Sequence, residues 1–443
     1  MKILRVSVSV FLAGLCGIAW FSTIQDYRTG RSGLARVTTS AESYMNRGLY
    51  QLAYKSYNAG LSITPDRSLY EGKLASAKAF YAEHPDEGED MLVEAYQDMI
   101  RLFPEETIHW EDLTQYYLDI NRIDNAGRLL KRAQNQGISS ERLEAQRHSI
   151  YYLFRGMGGN YEWISPSAFC GYYIAKDYFR WKTVSAFGPV QLDPRCECIG
   201  AIGEDGKVLA CMDSGECVLY SEDGVRYARF PAQITEAKGY GNGLVPVRFK
   251  DQETWSYLNE QGEVICQNLE NASMFQFGAA FVKPAGGDWV MMNTSGQMAD
   301  PPGYEDIRLS YNGAFYEGNV LIVKKDGRWM ICHSDGTPVS DFSCEEIDRC
   351  FGQPVAFRNG GKWGFVTTAG QIYSEPAYEE ARSYSGGVAA VRSGELWGFI
   401  DPQGRMVIEP QFAEVGYFSP QGSCCVKDTK DSNWRLIQWA VER

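Results

Sequence analysis

The feature that most constrains this chain is a tryptophan followed seven residues later by a glycine, which recurs through its second half. The pairs are Trp255/Gly262, Trp289/Gly296, Trp329/Gly336, Trp363/Gly370 and Trp397/Gly404, and a sixth tryptophan, Trp434, follows in register. Successive tryptophans are separated by 34, 40, 34, 34 and 37 residues. A period of this length indicates repeated supersecondary units, each too small to bury its apolar face alone.

The clearest unit, residues 387–410, can be interpreted strand by strand. Val388–Arg392 is predicted to be a short strand and Leu396–Ile400 a second one, with side chains two positions apart on the same face. Asp401–Gly404 is predicted to be a type I turn whose glycine supplies a positive φ, and Arg405–Ile408 a third strand. We interpret the repeated tryptophans as packing anchors and the glycines as turn residues.

These units resemble the bacterial WG β-repeat family, in which a strand carries a Trp-Gly pair and a glycine turn follows. Two units keep the pair, Trp363-Gly364 and Trp397-Gly398, whereas other residues follow the tryptophan elsewhere: Ser256, Val290, Met330 and Arg435. The repetition predicts an all-β domain over residues 169–443, most simply a propeller-like ring, with an open β-solenoid as the alternative.

Ring closure makes a specific demand on the ends of this region. The last unit stops soon after Trp434, and an incomplete unit would leave strand edges unpaired. The segment Phe169–Val190 is rich in aromatic and β-branched residues. We therefore predict that part of it pairs with the C-terminal strands, Cys424–Val426 and Trp434–Trp439, as only a ring allows.

The N-terminus has a different composition. Val6–Ile24 is a run of 19 residues without charge, long enough to cross a bilayer as one helix. Lys2 and Arg5 precede it, and no small-residue cleavage site follows. We expect residues 1–35 to be a transmembrane anchor and linker of a single-pass cell-membrane protein, with most of the chain outside the cytoplasm. A cleaved signal peptide is the alternative.

Residues 36–155 show helical periodicity, with apolar residues at i, i+3 and i+4. Trp110, Leu113 and Tyr117, followed by Ala126, resemble the pattern of tetratricopeptide repeats, whose small residues let paired helices approach. The resemblance implies about three helix pairs and a final helix over Ser140–Arg155. Residues 156–168 are predicted to be a linker, so the expected class is α+β with several domains.

Charge and cysteine content limit the ligands. A net charge of −13 argues against nucleic acid as a partner, because binding to phosphate needs clustered basic residues. The 12 cysteines lack the two-residue gap that is typical of zinc sites. Buried free thiols are the favoured interpretation and one or two disulfides the alternative.

No catalytic, phosphate-binding or dinucleotide-binding motif is present. The acidic clusters at residues 345–348 and 379–380 are interpreted as solvated loops. The sequence thus predicts a non-catalytic binding or scaffold protein with no catalytic residue, cofactor or metal, whose partner is a protein, a peptide or a cell-wall glycan. The alternative is a glycan-active envelope enzyme with paired carboxylates on the repeat face.

Overall fold

The structure, a computed structural model, describes residues 34–441 apart from 179, 187–195, 204, 213–214, 222–224 and 231–232. The chain divides into two compact units, a helical unit that ends at Tyr151 and a β unit that begins at Tyr152. The boundary follows the backbone, because the last helix ends at Tyr151 and the first strand begins at Phe154.

The helical unit contains seven helices among the described residues. The first, α1, covers residues 34–46. The others are α2 (Tyr50–Leu61), α3 (Arg67–Glu83), α4 (Pro85–Leu102), α5 (Thr107–Asp119), α6 (Ile123–Asn135) and α7 (Glu141–Tyr151). Along the chain, α2 packs on α3, α3 on α4 and α5 on α6.

Small residues in these helices lie where helices meet. Ala53 and Ala126 are fully buried, and Tyr57 and Tyr117 are buried beside them. Gly72 lies against the Tyr57 ring so closely that an added Cβ would be 2.4 Å from a ring carbon. This is the packing expected of paired helices, although the resemblance to tetratricopeptide repeats itself stays a prediction.

The β unit contains 29 strands among the described residues, and every strand pair is antiparallel. The strands are β1 (Phe154–Tyr161), β2 (Trp163–Ile164), β3 (Tyr172–Asp177), β4 (Arg180–Ser185), β5 (Cys196–Ile199), β6 (Val208–Met212), β7 (Cys217–Tyr220), β8 (Arg226–Phe230), β9 (Ile234–Ala237), β10 (Leu244–Phe249), β11 (Trp255–Asn259), β12 (Val264–Ala272), β13 (Ala279–Pro284), β14 (Val290–Asn293), β15 (Asp306–Ile307), β16 (Tyr316–Glu317), β17 (Val320–Lys325), β18 (Arg328–Cys332), β19 (Glu346–Ile347), β20 (Val355–Asn359), β21 (Lys362–Val366), β22 (Ile372–Tyr378), β23 (Glu380–Ala381), β24 (Ala389–Ser393), β25 (Leu396–Ile400), β26 (Met406–Phe412), β27 (Glu414–Val415), β28 (Ser423–Lys427) and β29 (Trp434–Trp439).

These strands form successive sheets that follow the repeats. Strands β15–β18, β19–β22 and β23–β26 each form a four-stranded sheet from one stretch of chain. Strands β2–β8 and β9–β14 form a seven-stranded and a six-stranded sheet. The final sheet combines the two ends of the unit, in the order β1-β29-β28-β27. The whole is a β-propeller, as the repetition predicts.

Each predicted glycine turn has the backbone that the sequence implies. Asp401 accepts hydrogen bonds on its side chain from the backbone N–H groups of Gln403 and Arg405, at 3.0 and 2.9 Å, and so orders the turn before β26. The repeat glycines Gly262, Gly296, Gly336, Gly370 and Gly404 have φ between 76° and 84°. A left-handed conformation is free of steric cost only for glycine, which is why this residue recurs.

The pairing of β1 with β29 closes the ring. Phe154 lies opposite Trp439, and Tyr161 opposite Trp434. Trp439 is stacked on Phe418 with ring centroids 4.0 Å apart, so the junction is packed as well as hydrogen-bonded. An open solenoid would hold these ends far apart, and this alternative is therefore excluded.

The strand that closes the ring is not the one expected. Residues 156–168, predicted to be a linker, contain most of β1 and all of β2, whereas β3 and β4 from the segment Phe169–Val190 pair with each other. Gly158 and Gly159 have positive φ, and the pairing shifts register there. Pairing through the backbone needs no apolar side chains, so a glycine-rich strand lacks the alternation by which strands are recognised.

The helical region is also shorter than expected. The final helix was predicted over Ser140–Arg155, but it ends at Tyr151. Phe154 instead packs on Phe412, with ring centroids 5.8 Å apart, and contributes to the β core. Its apolar side chain fits either a helix or a strand pattern, and the tertiary contact decides between them.

No helix among residues 34–441 that the structure describes is long and apolar enough to cross a bilayer. The predicted anchor, Val6–Ile24, lies outside the described residues.

The cysteines show both of the expected states. Cys211 and Cys217 form a disulfide between the paired strands β6 and β7. Five others are free and buried: Cys332, Cys344, Cys350, Cys424 and Cys425. Burial raises the pKa of these thiols, for instance to about 11 at Cys332, so they pack as small apolar groups in the protonated form.

Ring closure predicts a specific cross-link. Arg155 and Gln438 are direct partners in the β1–β29 pairing. Opposite residues of antiparallel strands have Cα atoms about 4.5–5.5 Å apart, within disulfide range. The double variant Arg155→Cys/Gln438→Cys should therefore form a disulfide under mild oxidation, detected as a linked peptide by mass spectrometry. The pair Arg155→Cys/Gln297→Cys is the control, and equal linkage in both pairs would contradict the ring.

Candidate binding site

The predicted anchor tryptophans lie at equivalent places in the β unit but differ in burial. Four are buried in the core: Trp255, Trp289, Trp329 and Trp397. Trp363 and Trp434 are half-buried. The first group therefore fits the packing role that the sequence predicts, whereas the second also presents part of its ring to solvent.

A cation lies over several of these rings. Arg308 is 4.4 Å from the centroid of Trp329, Arg382 is 5.3 Å from that of Trp397, and Lys238 is 4.6 Å from that of Trp255. Such contacts stabilise by about 0.5–2 kcal/mol each. Sequence analysis missed them, but a signal exists, since each of these cations directly follows a short first strand, β15, β23 or β9.

The acidic clusters correct the sequence interpretation. Glu346 and Glu380 belong to strands β19 and β23 instead of solvated loops. Each makes an ion pair with the residue opposite it on the next strand, Arg358 at 2.8 Å and Arg392 at 2.6 Å. Periodic carboxylates here match periodic cations, which a single sequence stretch does not reveal.

One repeat is longer than the others at a single place. Eleven residues separate Arg308 from Val320, whereas five separate the equivalent Arg382 from Val388. These six extra residues account for the one 40-residue tryptophan spacing in a series of mostly 34. We call residues 308–320 the axial segment, because of where it lies.

The axial segment crosses the interior of the ring. The Asn312 carbonyl accepts a hydrogen bond from Gly239 N–H at 2.8 Å, and the Gly313 carbonyl accepts one from Met274 N–H at 2.7 Å. The Asn312 amide also reaches the Ile202 carbonyl at 3.5 Å. Ile202 follows a strand of the β2–β8 sheet, and the β9–β14 sheet separates that sheet from the axial segment along the chain. The contact is therefore made across the interior.

Charged groups converge beside this segment. Asp348 accepts hydrogen bonds from the Tyr417 hydroxyl, at 2.8 and 2.9 Å, and from Ser383 N–H at 2.8 Å. Arg349 lies 4.9 Å from the Tyr417 ring centroid. Burial raises the pKa of Glu317, in the axial segment, to about 7; the charge of Arg349 opposes this rise and that of Asp348 adds to it. Glu317 is thus only partly ionised at neutral pH.

Exposed aromatic rings flank the axial segment. Phe277 is 77% exposed and has φ of 53°, a backbone conformation that bulky side chains rarely adopt. Its ring contacts Tyr316 edge-on at 5.8 Å. Tyr311 is 37% exposed, and its ring centroid lies 5.1 Å from that of Trp163. An exposed aromatic on an unfavourable backbone has no stabilising role, which points to a use in binding.

Comparison with known proteins agrees with the repeat assignment. The family model described as WG containing repeat matches residues 289–329, 363–397 and 397–428. None of the curated proteins matches the chain. Among solved structures, BamB from Moraxella catarrhalis is 11% identical with a TM-score of 0.42, over 65% of this chain and 100% of that one. This likeness is too low to carry an argument, and the family matches identify the β unit as one that contains WG repeats.

The difference in tryptophan burial predicts a difference in stability. Trp397→Ala should lower the free energy of unfolding by about 3–5 kcal/mol, as truncation of a buried aromatic does, and should also remove the Arg382 contact. Trp363→Ala should cost about half as much, because its ring is half-buried. Denaturant unfolding followed by circular dichroism measures both, and unchanged stability in Trp397→Ala would reject the packing role.

Glu317 predicts a pH-dependent stability. Its pKa is about 7 in the folded chain and near 4.5 when unfolded, so between these values the folded state holds the extra proton. The stability of the native protein is thus lost as pH rises from about 4.5 to 7. Glu317→Gln should remove this loss, giving a variant more stable by the order of 2 kcal/mol above pH 7 and no more stable below pH 4.5. A gain that is the same at every pH would contradict the assignment.

Proposed function

We propose that the protein is a non-catalytic binding or scaffold protein that is anchored in the cell membrane and holds a protein or peptide partner, or a cell-envelope glycan, on its repeat surfaces. The observation that carries the proposal is the set of exposed aromatic rings beside the axial segment. Phe277 and Tyr311 are held by backbone and ring contacts, so little conformational entropy is lost when a partner covers them. Exposed aromatics of this kind are enriched at protein interfaces.

Membrane attachment is the second part of the proposal. The 19 uncharged residues from Val6 to Ile24 would hold the chain at the membrane, with the β unit outside the cytoplasm. A fixed anchor confines the repeat surfaces to one membrane face and raises the local concentration of any partner there. Retention of the full-length protein in the membrane fraction after carbonate washing tests this part.

Phe277→Gly separates binding from stability. Glycine adopts a φ of 53° without strain, so the variant should be as stable as the native protein or more stable, by up to about 1 kcal/mol. Loss of the exposed ring should abolish capture of the partner. The measurement is affinity purification of the full-length protein from its native cells, with partners identified by mass spectrometry and stability followed by thermal unfolding.

Tyr178→Gly is the matched control. Tyr178 is 70% exposed and also has positive φ, 47°, but it lies in the turn between β3 and β4. This variant should keep every partner that the native protein captures. Partners retained by Phe277→Gly, or lost equally from both variants, would reject the site beside the axial segment.

One observation favours the enzymatic alternative. Glu317 has a raised pKa and lies near enough to Asp348 for that charge to affect it, as in paired carboxylates of glycan-cleaving enzymes. Asp348 is already held by Tyr417 and Ser383, which suits a structural role better. Release of reducing ends from cell-wall glycan by the native protein, absent in Glu317→Gln, would favour the enzyme.

A further inference from the structure

A groove lies between the β23–β26 sheet and the last sheet of the ring. Its volume is about 440 Å³, and it is lined from one side by Arg382, Arg392 and Trp397 and from the other by Ala413 and Glu414. This volume falls in the range of pockets that hold a small ligand or a few residues of a peptide. The groove lies apart from the axial segment, with which it shares no lining residue.

All of the carboxylates that line the groove have cationic partners. Glu380 pairs with Arg392 at 2.6 Å and Glu395 with Lys430 at 3.3 Å. Glu414 is 3.8 Å from Lys427, just outside the lining. The three acidic side chains and these partners therefore balance, and Arg382 is the one lining charge that remains.

Arg382 is held in place by aromatic rings. Its guanidinium carbon lies 5.3 Å from the centroid of Trp397 and 5.4 Å from that of Tyr417. Within the described part of the chain, its side chain makes no ion pair and no hydrogen bond to a carboxylate, carbonyl or hydroxyl. Ring faces satisfy the charge but not the N–H groups, whose donors stay available at the edge of the guanidinium plane. A half-buried cation with free donors is favoured by an anionic ligand.

We propose that this groove binds a carboxylate of an acidic peptide segment, with the guanidinium of Arg382 donating two parallel hydrogen bonds to it. A planar guanidinium matches a carboxylate in this way, and the rings on Arg382 orient it before the ligand arrives. An arginine and a tryptophan at the base, with paired charges at the rim, resemble the centre and edge of a protein interface. Because the whole chain carries a charge of −13, attraction to an anion must come from this local arrangement.

The proposal rests on the proposed binding function and deepens it by naming a partner chemistry. The test uses the full-length protein and a fluorescein-labelled peptide, acetyl-Gly-Glu-Tyr-Glu-Gly amide, with binding followed by fluorescence polarisation. The same peptide with Gln in place of both Glu residues should bind at least about tenfold more weakly, since a charged hydrogen-bonded contact contributes about 1.5–3 kcal/mol. The Gln peptide with a free C-terminal carboxylate shows whether a chain terminus can replace a side chain.

Three variants assign the effect to Arg382. Arg382→Gln should weaken binding of the acidic peptide by about 10–100-fold. Arg382→Lys, which keeps the charge and preserves folding, should weaken it less, because an ammonium lacks the planar fork. Arg308→Gln is the matched control, since Arg308 lies over Trp329 as Arg382 lies over Trp397 but does not line the groove, and it should bind the peptide like the native protein.

Several outcomes would overturn the proposal. Equal binding of the Glu and Gln peptides, or native affinity in Arg382→Gln, would remove the carboxylate site. Glutarate that binds as tightly as the acidic peptide would show a site for a free small carboxylate instead. If peptide binding fails while Phe277 still controls partner capture, the groove assignment alone is wrong. If peptide binding holds while that capture fails, the axial site is wrong and the groove remains.

Discussion

The β1–β29 pairing is the contact on which the rest of the β unit depends. It joins the two ends of the repeat region through backbone hydrogen bonds and leaves neither end sheet with a free edge. Only a closed ring brings Ile202 near Asn312 and Asp348 near Tyr417, because intervening sheets separate each pair along the chain. The convergence of charged and aromatic groups in the interior is thus a consequence of closure.

The repeated core could be predicted from the sequence because its signal is periodic. The strand predicted over Val388–Arg392 is observed as Ala389–Ser393, and the one over Leu396–Ile400 has the predicted bounds. The strand β1 could not be predicted in this way, since its glycines carry no apolar alternation and its partner lies almost 280 residues further along the chain. Pairing that relies on backbone groups alone leaves little trace in side-chain pattern.

The candidate site was predictable only in part. The single 40-residue spacing marks an insertion, and an insertion in a regular repeat often carries function. What that insertion touches could not be read, because Gly239 and Met274 contact it through backbone atoms. Likewise the positive φ of Phe277 follows from its turn and not from its residue type. The unpaired state of Arg382 emerges only once every neighbouring carboxylate has been matched to its cation.

The composition of the last sheet has a consequence for synthesis. Because β1 is made before all other strands of the unit and β29 after them, the sheet that they share cannot form until translation has passed Trp439. Until then β1 and the edge of the β2–β8 sheet must wait unpaired while nearly 280 further residues emerge, at roughly 5–20 residues per second. For tens of seconds the nascent chain therefore exposes strand edges that could pair wrongly, and a premature stop a few codons before the end would leave this exposure permanent.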